Sequence, residues 1–133
     1  MLDHLRRRVI DLLASVTSVT LSTYGPAGIQ AQVLPSIALG LRFFVLVPLT
    51  SEHLYNLEQE QSVVVTTATW QLHGQGKALS EQELPADIPL PYASRQIDFA
   101  VVEIKPIRLQ IGQPNGGGFS ETIDIIEDSS AAF

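Results

Sequence analysis

The sequence predicts a mainly β domain: a six- to seven-stranded antiparallel barrel with an N-terminal helix and one short internal helix. Three observations predict it. Most of the chain falls into short runs that alternate or are rich in β-branched residues. Tight turns such as Gly25-Pro26-Ala27-Gly28 join them, without the helix after each strand that a parallel α/β sheet requires. One run, Leu41 to Val47, is apolar on nearly both faces, as befits a central strand covered on each side.

The elements follow in order. Leu2, Leu5, Val9, Leu12 and Leu13 recur at three- and four-residue spacing, which predicts an amphipathic helix over 2–14. A β-branched strand covers 16–24. Its hairpin partner covers 29–37, with Ile29, Ala31 and Val33 on one face and Gln30 and Gln32 on the other. Pro48 closes the central strand. Thr50 and Ser51 then cap a short helix over 52–60. Strands are predicted at 62–70 and 72–79, where Gly74 and Gly76 suggest a bulge or a close backbone approach. Residues 81–98, with three prolines, form a connection with one helical turn near 92–96. Strands at 99–104, 107–111 and 122–126 complete the set, with Gly116 to Gly118 as a flexible loop. The chain reads as one domain, 1–133, whose tail from about 127 is frayed.

Composition narrows the function classes. With 45% hydrophobic and 17% charged residues, the chain has enough apolar material for a packed core. A net charge of −6 argues against a nucleic-acid surface, which needs clustered cations. The Arg6-Arg7-Arg8 run reads as the polar side of the first helix. No cysteine is present, which rules out disulfides, thiolate nucleophiles and cysteine-ligated metals. No run approaches the roughly 20 apolar residues of a membrane span. A cytoplasmic protein without a membrane or nucleic-acid partner is expected. His4, His53 and His73 form no metal-binding spacing, no nucleophile elbow is present, and no metal site is expected.

The informative stretch is Pro48-Leu49-Thr50-Ser51-Glu52-His53-Leu54-Tyr55-Asn56-Leu57, which leaves a buried strand and opens a helix. Backbone N–H groups at such a start attract an anion, and the Thr50 and Ser51 hydroxyls and the His53 ring add donors. Trp70, ending a strand before a glycine-containing return, is placed at a ligand cleft or a dimer contact.

The order of helix, Thr20-Leu21-Ser22-Thr23, Gly25-Pro26-x-Gly28, apolar strand, Thr50-Ser51-x-His53-x-x-Asn56-Leu57, Val-rich strand, Trp70 and Gly76-Lys77-Ala78 resembles the pyridoxamine 5′-phosphate oxidase-like family. The resemblance covers residues 1–80, and later only Glu103-Ile104-x-Pro106-x-Arg108. It implies a six-stranded split barrel, a homodimer, and FMN bound at the dimer interface as the cofactor of an oxidoreductase. It assigns the FMN phosphate to Thr50, Ser51 and His53 beside Pro48, and the flavin ring to Val33, Leu34, Pro35 and Ser36. The sequence departs from the family where cations are usual: it has Gln30 and Gln32 on the second strand, and Glu52 and His53 at the helix start. The alternative is therefore a split-barrel dimer that has lost flavin and serves as a binding or structural module, and a third reading is a barrel that binds some other planar ligand.

Overall fold

The computed structural model describes residues 2–90, 98–113 and 117–125. The chain runs α1 (Asp3–Ala14), β1 (Ser18–Thr23), β2 (Gln30–Leu39), β3 (Arg42–Pro48), α2 (Glu52–Gln59), β4 (Ser62–Thr66), β5 (Trp70–Ala78), a 3-10 turn (Glu81–Glu83), β6 (Phe99–Gly112) and β7 (Phe119–Asp124). All strand pairs are antiparallel, in the order β3-β2-β1-β4-β5-β6-β7. A further pairing of β3 with β6 closes the first six into a barrel, which leaves β7 outside on β6. The expected helical turn at 92–96 and the tail from 127 lie outside the described residues.

The period-two rule decides what faces inward. Val19, Leu21, Leu34, Phe43, Val45, Val47, Val63, Val65, Trp70 and Leu72 fill the barrel, and Val9 and Leu13 of α1 join them. The expectation that β3 is covered on both sides holds. Phe43, Val45 and Val47 point into the barrel, while Phe44 and Leu46 lie in a second cluster with Leu79, Val101 and the partly buried Leu84, Ile88 and Leu90.

One element differs from the sequence reading, and a second acquires a direction. The run 62–70 is not one strand. Thr67 turns the chain: its backbone N–H donates to the Trp70 carbonyl (2.9 Å), and its hydroxyl accepts from the backbone N–H groups of Thr69 (3.3 Å) and Trp70 (3.1 Å). That turn shifts the alternation, so Trp70 opens β5 and points inward with Leu72. In β2 the apolar face of Ile29, Ala31 and Val33 is the outward one, and Ile29 and Val33 are 84% and 67% exposed.

The glycines of β5 act as expected. The β5–β6 register shifts between His73 and Gly74, a bulge that places Gly74 opposite Pro106. Pro106 has no N–H to contribute to a ladder, and a bulge is where a strand tolerates it. A Cβ on Gly74 would lie 2.5 Å from the Lys105 carbonyl oxygen, so the two backbones pass too closely for any side chain.

Candidate ligand groove and the start of α2

α2 is fastened to the barrel by a buried polar network. The Asn56 side chain accepts from the Ala27 backbone N–H (2.9 Å) and donates to the Gly28 carbonyl (2.9 Å) and Thr23 Oγ1 (3.2 Å). Thr23 Oγ1 lies 2.7 Å from His53 Nδ1. The Thr23 oxygen accepts from Asn56 and keeps a proton that it can donate to Nδ1 of a neutral His53. Gly25 packs on Asn56 so closely that a Cβ there would meet Oδ1 at 2.9 Å. α2 thus fixes the β1–β2 turn and, through it, the flanking Tyr24 and Ile29.

This geometry corrects the role assigned to His53. Its side chain is 2% exposed and engaged with Thr23, and burial holds its pKa below the ordinary value. It therefore brings no positive charge to the helix start near neutral pH. Stability should follow. The unfolded chain binds a proton near pH 6.5 that the folded chain resists. The His53 contribution is then complete above that pH and is lost as pH falls below it. Thermal unfolding of the wild type should weaken from pH 7 to 5 more steeply than that of His53→Gln. Parallel curves for the two proteins would refute this.

Three backbone N–H groups at the start of α2 are committed. Ser51 Oγ accepts from the His53 N–H (3.1 Å), the Ser51 N–H donates to the Pro48 carbonyl (2.9 Å), and the Leu54 N–H donates to the Ser51 carbonyl (3.3 Å). Thr50 is exposed, Pro48 is half-buried, and the carboxylate of Glu52 stands in the first turn. Of the residues assigned to a flavin ring, Val33 and Pro35 are exposed on the outer face of β2, whereas Leu34 and Ser36 point into the barrel. Trp70, assigned to a cleft or dimer contact, is instead 2% exposed in the core, edge-on to Phe43 with ring centroids 6.2 Å apart. An FMN phosphate carries nearly two negative charges near neutral pH. The residues present at the start of α2, a capped helix with a carboxylate and an uncharged histidine, do not fit it.

A different feature stands out on the outer face. The register aligns Ala31, Ser22, Val64 and His73 in one row across β2, β1, β4 and β5, and Val33, Thr20, Thr66 and Gln71 in the next. None of these is an aspartate, glutamate, lysine or arginine, in a chain with 14 acidic and 8 basic residues. A groove of about 460 Å3 opens there, lined by Ser22, Tyr24, Ile29, Val64, His73 and Ile107 among others. A shallower hollow of about 280 Å3 lies along the same face between Val16, Thr20, Val33 and Thr66. Sequence reasoning missed the groove because its residues come from four strands. The one signal was the outward apolar set on β2.

No protein-family model and no curated protein matches the chain. Solved structures do. A protein related to general stress protein 26, of the pyridoxinephosphate oxidase family, from Clostridium acetobutylicum superposes with a TM-score of 0.68 at 14% identity, covering 94% of this chain and 97% of that one. The fold is the split barrel. General stress protein 26 from Bacillus anthracis (TM-score 0.61, 11% identity, 92% and 99% covered) shares it. So does a heme binding protein from Mycobacterium smegmatis (0.62, 20%, 90% of this chain), of which the chain spans 56%. Among the described residues no group of acidic or histidine side chains is arranged to hold a metal ion, and no helix is long and apolar enough to cross a membrane.

Proposed function

We propose that this split barrel is a homodimeric binding module for a small molecule, not an FMN-dependent oxidoreductase. One observation carries the reading: the two rows of outward residues across β2, β1, β4 and β5 hold no acidic residue, lysine or arginine, and Ile29 and Val33 are exposed there. Exposed apolar surface of this kind marks a contact site on a soluble protein. A two-fold pair would bury the same face on both copies, and strands from each would enclose the groove. The misfit at the start of α2 supports the second half of the reading. Removing a cation that a phosphate requires costs roughly 1.5–3 kcal/mol per charge-assisted contact. Here the histidine that stands in its place is buried and neutral, with Glu52 beside it.

Light scattering tests the pairing. Wild type at micromolar concentration should have twice the 14.5 kDa chain mass. Val33→Lys should be monomeric with an unchanged far-ultraviolet spectrum, because Val33 is exposed and a lysine there buries charge only in the dimer. A monomeric wild type overturns the reading.

A further inference from the structure

We propose that two copies joined across the outer face come apart in mild acid, because protonation of His73 puts a charge on the surface they share. The inference rests on the homodimer reading and adds the regulation of that pairing.

His73 stands where a charge matters. It ends the row Ala31, Ser22, Val64 and His73, beside the row Val33, Thr20, Thr66 and Gln71. Within these rows it is the one side chain whose type changes charge between pH 5 and 8. It also lines the groove with Tyr24, Ile29 and Ile107, all three exposed. The chain has a net charge of −6, so two copies repel each other over most of their surface. A two-fold contact places a face against itself, and only a face without fixed charge does so without that penalty.

Nothing beside the imidazole is built to balance its charge. Its Nε2 lies 2.9 Å from Gln71 Nε2 and 3.2 Å from Gln110 Oε1, and both partners are neutral amides. β1 and β4 contribute no acidic, basic or histidine side chain. On β6 the cross-strand partner of His73 is Arg108, and Lys105 stands opposite Gln75. On β5 itself Lys77 lies four residues further along, tied to Glu83 (2.7 Å). The carboxylate in the same row is Asp124 of β7, and Arg108 already holds it (2.7 Å). α2, with Glu52, His53 and Glu58, packs on the opposite face of β5, where a Cβ on Gly76 would meet Leu57 at 3.1 Å. The nearest charge in register is therefore a cation, and a protonated His73 gains no free counter-ion.

The sign of the linkage follows. In a single copy His73 is half-buried and water reaches it. In the pair that water is displaced, which disfavours the protonated form. The separated copies thus bind protons that the pair excludes, and association releases one from each copy. Pairing is complete above the range in which an imidazole ordinarily titrates and is lost as pH falls through it. Two-fold symmetry doubles the effect, so the dissociation constant rises by as much as roughly a hundredfold per pH unit in the acid range.

Sedimentation velocity at pH 7.5 and 5.5 tests this, with the far-ultraviolet spectrum recorded alongside as a check of folding. Wild type should be dimeric at pH 7.5, with a dissociation constant at least about tenfold higher at pH 5.5. His73→Gln should dimerise equally at both. His73→Lys should be monomeric at pH 7.5 with the wild-type spectrum, because a half-buried site tolerates the lysine in a single copy. His53→Gln removes the other buried imidazole and should keep the wild-type pH dependence of association. A dissociation constant equal at the two pH values, a pH dependence that survives in His73→Gln or vanishes in His53→Gln, or a dimeric His73→Lys would overturn the proposal and leave the pairing standing. A wild type that is monomeric at pH 7.5 overturns the pairing and this inference with it.

Discussion

Trp70→Ala is expected to lower the stability of the barrel by about 3–5 kcal/mol. The indole is the largest side chain in the core, is 2% exposed, and meets Phe43 edge-on at an interplanar angle of 75°. A six-stranded barrel has little freedom to collapse around the void, because its strands are locked to two neighbours each. Against the 5–15 kcal/mol that holds a typical domain, the loss is a large fraction of the total. Trp70→Phe should cost much less. The indole Nε1 is buried without a hydrogen-bond partner, so its removal also removes an unsatisfied donor. Urea denaturation followed by circular dichroism measures both. If Trp70→Ala fell within 1 kcal/mol of wild type, the core placement would be wrong and a surface position restored.

The second large effect is at Asn56. Asn56→Ala should cost about 3 kcal/mol, because it strips the partners from the Ala27 N–H and the Gly28 carbonyl as well as from Thr23. Asn56→Asp should not rescue it: a carboxylate can still accept from Ala27 but would face the Gly28 carbonyl as a buried charge. The same substitutions should loosen the turn that carries Tyr24 and Ile29. Denaturation midpoints within 1 kcal/mol of wild type would show that the network does not anchor α2.

What was legible in the sequence is what local rules govern. The alternation of β1, the doubly apolar β3, the capped α2 and the bulge at Gly74 each follow from residues within a few positions. So did the barrel, because short strands with tight turns leave few other ways to hide edges. Two failures had physical causes. The Val-rich run to Trp70 hides a turn made by one hydroxyl, and a shift of one phase moves Trp70 from surface to core. His53 stands where the motif resemblance places a phosphate contact, but its direction is set by Thr23, thirty residues earlier in the chain. The groove was beyond reach for the same reason: Tyr24, Val64, His73 and Ile107 become neighbours only when four strands are paired in register.

The most direct test of the central claim is a side-by-side titration of FMN and riboflavin against the purified protein, since the two flavins differ only in the phosphate. The account holds that the start of α2 offers that phosphate a spent cap, a carboxylate and a neutral histidine. It predicts that the two dissociation constants agree within about threefold and that Ser51→Ala changes neither beyond that margin. FMN binding tenfold or more tighter than riboflavin, with the difference abolished by Ser51→Ala, would contradict it and return the protein to the flavin-dependent oxidoreductases.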